Sequence, residues 1–148
     1  MKNTFKATYA EDKRIETAYD LADRNNDEAG KAAARTAHRE LEASLTAAGK
    51  AYRTAYLFYA DAQRRGNELI DISKPITNTE AADLVNLLRE NGIEAFTFSS
   101  TWSSAVETAW AFQQNGCRLE GMAEINGDCR NSFTGDFDRV HAFIFRIA

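Results

Sequence analysis

The chain has 148 residues, of which 44 % are hydrophobic and 11 % aromatic, and its net charge is −4. This suits one packed domain, or one domain with an appendage, and the acidic balance argues against a strongly basic nucleic-acid binder. No apolar run approaches the roughly 20 residues that cross a bilayer, Met1-Lys2-Asn3-Thr4-Phe5 lacks the apolar stretch of a leader, and Cys117 and Cys129 have neither metal-type spacing nor the number for a disulfide framework.

The expectation is therefore a cytoplasmic protein with no membrane partner, no cofactor and no bound metal. Charge is unevenly divided. Residues 1–66 hold 12 basic and 10 acidic side chains and residues 67–148 hold 6 and 12, so the two halves carry +2 and −6. The pattern of the chain changes at the same place, Arg64-Arg65-Gly66-Asn67, from Ala-rich charged sequence to short β-like runs between capped helices.

Residues 4–25 predict a first helix, with Phe5, Tyr9, Ile15, Ala18, Tyr19 and Ala22 on its apolar face. Asn25-Asn26-Asp27 predicts a turn, because Asn and Asp bond locally to backbone and cap helices. Asn26 or Asp27 then opens a second helix running to about Arg65, roughly 55–60 Å long if continuous. Its seam steps by threes and fours through Ala34, Ala37, Leu41, Leu45, Ala48, Tyr52, Ala55, Tyr59 and Ala62, close to a heptad. The later Tyr52, Tyr56, Phe58 and Tyr59 call for a larger apolar surface, most simply the C-terminal unit. Lys31, Arg35, His38 and Arg39 fall within two turns and form a basic patch, but Glu40 and Glu42 interrupt it and no aromatic is interleaved for base stacking.

In the second half, residues 68–73 predict a strand that Pro75 ends. Thr77 and Glu80 have capping-box spacing and open a helix to Asn91 with Ala81, Leu84, Val85 and Leu88 as its buried stripe; Gly92 stops it. Residues 93–99 predict a second strand. A second helix follows from Trp102 to about Asn115, with Ser104 and Glu107 as a capping pair and Trp102, Val106, Ala109 and Trp110 as its apolar side. Strands joined by helical crossovers run parallel. Residues 118–125 alternate as a third strand, Leu119, Gly121, Ala123 and Ile125 against Arg118, Glu120, Met122 and Glu124. That half-polar pattern suits a sheet edge. A long turn over 126–138 leads to a fourth strand, 139–147, antiparallel to the third and central in the sheet. The fold class expected is α+β: a long N-terminal helical hairpin (1–66) packed on a small mixed four-stranded sheet in the order β-α-β-α-β-β (67–148), the two forming one rigid body.

Chemistry is sparse. Ligands of parallel sheets favour the C-terminal ends of strands. Ser73-Lys74-Pro75 and Ser99-Ser100-Thr101 lie at such ends, the second beside a helix N-terminus that can hold an anion, with Lys74 as an added charge. No Gly-rich phosphate loop is present, and hydroxyl residues are what any helix start prefers. His38 and His141 are the histidines, and nothing in the sequence sets either beside Ser100 or Cys117 as a base. Glu120 and Glu124 would stand ~13 Å apart on a strand, too far to cooperate. Asp128, Asp136 and Asp138 do not match a calcium loop.

Trp102 to Gly116, Cys117-Arg118-Leu119-Glu120-Gly121 and the ending Ala142-Phe143-Ile144-Phe145-Arg146-Ile147 resemble a domain of unknown function common in small proteins of plasmids, phages and conjugative elements of gut Firmicutes. The resemblance covers the last 80 residues or so and brings no catalytic residues. It implies an accessory role on a mobile element, where partner-blocking proteins of the anti-CRISPR type act on a host defence nuclease. The leading expectation is thus a non-enzymatic protein-binding protein with a protein partner such as a CRISPR effector. Lys31, Arg35, Arg39 and Arg53 on the helical arm and Glu120, Glu124, Asp136 and Asp138 on the acidic half are the candidate contacts. The alternatives are a nucleic-acid accessory protein using the basic arm, with Arg64 and Arg65, and a phosphate-ligand enzyme at Lys74, Ser99, Ser100 and Thr101. The long seam and the edge strand also offer two routes to a homodimer.

Overall fold

The computed structural model describes residues 4–148; Met1 to Asn3, part of the stretch read for a leader, lie outside the described residues. The element order is α1 (Thr4–Arg24), α2 (Glu28–Ala47), α3 (Lys50–Arg65), β1 (Asp71–Ile72), α4 (Asn78–Glu90), β2 (Ala95–Phe98), α5 (Ala105–Gln114), β3 (Cys117–Arg130) and β4 (Phe137–Ile147). The sheet order is β1-β2-β4-β3; β1 and β2 are parallel, and β4 is antiparallel to both neighbours. This is the α+β fold expected, with an N-terminal helix pair on a mixed sheet and β4 central. No helix among the described residues is long and apolar enough to cross a membrane.

The helical half departs from expectation at one joint. The second helix stops at Ala47 and a new one starts at Lys50, because Gly49 takes φ 103° and ψ 159°, a region essentially open to glycine alone. Gly49 O then accepts from Arg53 N at 3.0 Å and opens α3. One rod becomes two, ~30 Å and ~24 Å long. The seam cannot reveal this, since a lone glycine in an alanine run reads as a tolerable helix interior costing ~1 kcal/mol. Nothing lies within 4 Å of a Cβ built on Gly49, so Gly49→Ala tests the backbone alone. The expected cost is ~1–3 kcal/mol and a fall in Tm of roughly 3–10 °C. An unchanged Tm would mean that the joint does not hold this conformation.

The break turns α3 into the core. Phe5 of α1 meets the rings of Tyr52 and Tyr59 at 5.2 and 5.8 Å, and Tyr56 is buried. The first turn of α1 is capped from α4: Asn91 Oδ1 accepts from Phe5 N and from Thr4 Oγ1, both at 3.1 Å. Tyr56 OH donates to Asp12 Oδ2 at 3.2 Å. These ties hold α1 on the rest of the chain. On α4, Ala81, Leu84, Val85 and Leu88 are buried as expected, and Thr77 Oγ1 accepts from Glu80 N at 3.3 Å.

Three expectations about the sheet change. The strand read as 68–73 shrinks to Asp71–Ile72. The strand read as 118–125 continues to Arg130, so residues 126–130 are not a turn. Asp138 Oδ1 accepts from Cys129 N at 3.1 Å inside an irregularity between Asn126 and Arg130, and a Cβ on Gly127 would push that carboxylate out of place. A bulge at Glu120 also shifts the faces: Leu119 stands opposite Phe145 and Met122 opposite Phe143, so Leu119 and Met122 share a face instead of alternating. The β3–β4 hairpin therefore reaches well past the C-terminal ends of β1 and β2.

Candidate functional site

The first feature is the outer face of α5. Trp102, Val106 and Trp110 follow one another at helical spacing, which predicts a buried side. They are instead 66 %, 77 % and 59 % exposed, and only Val106 and Trp110 are on the helix: α5 starts at Ala105, not at Trp102 as expected, and Trp102 lies in the bend before it. The buried face is the one carrying Thr108, Ala111 and Phe112. Phe112 fills the sheet core, 4.8 Å from the ring of Phe96, 5.7 Å from Phe98 and 5.5 Å from Phe145. Thr108 is tolerated inside because its Oγ1 accepts from Ile76 N at 3.1 Å. The expected cap is absent as well: Ser104 makes no side-chain cap bond, and Trp102 N donates to Ser100 Oγ at 3.3 Å. Leu119, Met122 and Phe143 are exposed as well, on the sheet face whose Phe145 packs against Phe112 of α5.

The second feature is a cleft of about 480 Å³ where the hairpin overhangs the ends of β1 and β2. Arg65, Ser99, Thr101, Trp102, Asp128 and His141 line it. Trp102 thus belongs to both features. Under the cleft, Asp71 is buried, accepting from Ser99 Oγ at 2.6 Å and from Thr97 Oγ1 at 2.8 Å. Arg65, whose side chain is 10 % exposed, is held between the carboxylates of Asp61 and Asp71, the latter at 3.9 Å. Burial raises the Asp71 pKa above the usual carboxylate value, against the opposing pull of Ser99, Thr97 and Arg65.

The basic arm is largely self-neutralised. Lys31 pairs with Glu28 at 2.8 Å and Asp23 at 3.3 Å, and Arg53 pairs with Glu42 at 3.2 Å. Arg35 stacks on Tyr19 at 5.5 Å, and Arg39 donates to Thr36 at 3.2 Å. Arg35, His38 and Arg39 share a groove with Asp12, Glu16 and Asp20 of α1. On the acidic half, Glu120 bonds Arg146 at 2.6 Å and Glu124 pairs with Arg139 at 3.3 Å. Asp136 and Asp138 lie near the hairpin tip. Among the described residues no hydrogen bond or ion pair joins the two sets of candidate contacts. Ser99 and Thr101 come together in the cleft, whereas Ser100 is spent on Trp102 N and Lys74 lies over Phe58 at 5.5 Å in a separate groove.

Sequence reasoning did not bring Arg65, Asp128 and His141 to the cleft, nor Asp71 beneath it. One signal existed: Asp71 is a lone carboxylate between Ile70 and Ile72, where an acid is costly unless paired. The others meet only because the hairpin overhangs. His141 and Ser99 line one cleft, but the Ser99 hydroxyl gives its proton to Asp71, not to the imidazole, so it is not set up as a nucleophile with His141 as base. Burial pushes the Cys117 thiol up to about 11, which suits a core residue more than a nucleophile. Asp128, Cys129 and Asp138 hold their donor atoms within 4.8 Å of one another, all exposed. Asp138 already serves the bulge, and Cys129 Sγ contacts Asp128.

Fold and site together define a small α+β protein with an exposed aromatic face and a polar cleft. A family profile matches residues 54–147, nearly two-thirds of the chain, and the protein belongs to that family, described as Domain of unknown function (DUF7698). The match begins inside α3, the helix whose Ala55, Tyr56 and Ala60 are part of the main core. No curated protein and no solved structure matches the chain.

Proposed function

We propose that the chain is a non-enzymatic protein-binding module that docks its partner through the outer face of α5. The observation that carries this reading is Val106 and Trp110, one helical turn apart on α5 and each more than half exposed, with Trp102 equally exposed in the bend that leads into the helix. Scattered exposed apolar residues are ordinary, but two exposed tryptophans on and before α5, with Leu119, Met122 and Phe143 exposed on the sheet face that α5 packs on, are the composition that marks interaction sites. Neither alternative has comparable support. The basic arm faces acids of its own chain, which weakens a nucleic-acid reading. In the cleft Arg65 is already paired with Asp61 and Asp71, and Asp128 is part of the lining, which weakens a phosphate-ligand reading. A mobile-element role and a nuclease target rest on the sequence resemblance alone and are proposed only as one partner class.

The test is affinity capture on the immobilised chain, compared with Val106→Glu/Trp110→Glu. Both positions are on the surface, so the double variant is expected to keep its Tm within a few degrees while losing partner capture by roughly tenfold or more. Capture that survives both charges would exclude this face.

A further inference from the structure

The sheet has an open edge beside the cleft. β2 pairs with β4 only over residues 143–146, although β4 starts at Phe137. Ile147 N donates to Glu94 O at 2.8 Å, so odd-numbered residues of β4 turn their N–H and C=O toward β2. Followed along the strand, Arg139 and His141 turn theirs into the space β2 has left, since the chain departs through Ser99 to Thr101. The cleft adjoins that space: Ser99, Thr101 and Trp102 line it from the departing chain, Val140 and His141 from β4, and Gly127 and Asp128 from β3 beyond. The outer edge of β3 is handled differently: the bulge at Glu120 interrupts it, and Asn67 bonds both backbone groups of Asn126, each at 3.0 Å. The β4 edge has no such block.

Charge says what fits. Arg65 is committed to Asp61 and Asp71, Arg139 to Glu124 and Asn126, and Arg130 lies over Phe137 at 4.3 Å. Asp128 remains exposed at the cleft with the ring of Trp102 nearby. A cation finds both a carboxylate and an aromatic face there.

We propose that an extended segment of the partner protein adds to the β4 edge as a short strand in the line vacated by β2. It places a lysine or arginine side chain in the cleft against Asp128 and Trp102. This is strand addition, in which backbone bonds give affinity and a side-chain pocket gives specificity. It rests on the protein-binding reading above and adds the chemistry of the bound segment.

The test selects displayed random peptides of about 12 residues on the full chain and measures binding of the enriched ones as synthetic peptides. Expected are peptides with Lys or Arg among alternating β-branched residues, which protect the His141 and Arg139 amides from hydrogen exchange. Affinity falls roughly tenfold or more in Asp128→Lys and in His141→Pro, which removes the edge donor, and is unchanged in Asp83→Lys, the same charge change at an exposed position of α4. Asp128 is exposed and its variant folds even where the proline variant does not. Failure to enrich any peptide, binding indifferent to Asp128→Lys, or protection on α5 but not β4 overturns strand addition. Each leaves α5 docking to stand or fall on the capture experiment with Val106→Glu/Trp110→Glu.

Discussion

Phe112→Ala is expected to destabilise the protein by ~3–5 kcal/mol, the range for deleting a fully buried aromatic. Phe112 has no exposed surface and touches three rings, Phe96, Phe98 and Phe145, drawn from two strands. Those rings belong to a rigid sheet and cannot close the gap, so a transfer loss and a cavity penalty add. For a chain of this size the loss corresponds to a Tm lower by roughly 10–15 °C. Trp110→Ala is the control, because Trp110 is 59 % exposed on the opposite face and its loss is expected to stay near ~0.5 kcal/mol. The sequence periodicity ranks the two the other way, with the tryptophan inside. Urea unfolding of both variants separates the cases. A costly Trp110→Ala and a mild Phe112→Ala would mean that α5 is rotated by about half a turn.

That contrast shows what the sequence carries and what it leaves open. α4 has one apolar stripe, so Ala81, Leu84, Val85 and Leu88 identify its buried side unambiguously. α5 has two, and spacing alone gives no reason to bury Phe112 and Ala111 rather than Trp102 and Trp110. What decides is the ring-lined floor of Phe96, Phe98 and Phe145 and a backbone partner for Thr108, both supplied from distant sequence. The order of strands and the central place of β4 were legible because alternation survives in short runs. The bulge at Glu120 was not, since one extra residue inverts every side chain beyond it. The cleft was half legible: Ser99 and Thr101 sit at a strand end, where ligands gather in such sheets. Its wall depends on how far β3 and β4 run past their neighbours, which residues that read as turn formers conceal. Gly127 is the plainest example, a turn signal used as a bulge.

Arg65→Met is expected to cost about 3 kcal/mol near neutral pH, the scale for removing one partner of a buried ion pair. The arginine lies between Asp61 and Asp71, and without it Asp71 keeps only the hydroxyls of Thr97 and Ser99. The pH dependence gives the sharper test. Burial already raises the Asp71 pKa in the folded state, and Arg65 is among the groups that oppose this. A carboxyl with a raised folded pKa holds its proton in the native state after the unfolded chain has lost it. Its contribution to stability is therefore greatest at acid pH and falls as pH rises from the unfolded value through the folded one. Removing Arg65 raises the folded pKa further, so the gap between wild type and variant widens from mildly acid to neutral pH. Asp71→Asn removes the titrating group, and its amide can still accept from Thr97 and donate to Ser99, so that variant loses this part of the pH slope. The double variant Arg65→Met/Asp71→Asn is expected to recover most of the Arg65→Met loss, a non-additivity that contact between the two predicts. Urea unfolding of the four proteins at mildly acid and neutral pH measures each quantity. A gap that stays constant with pH, or two losses that simply add, would mean that Arg65 stabilises the chain through Asp61 alone and leaves the charge beneath the cleft uncompensated.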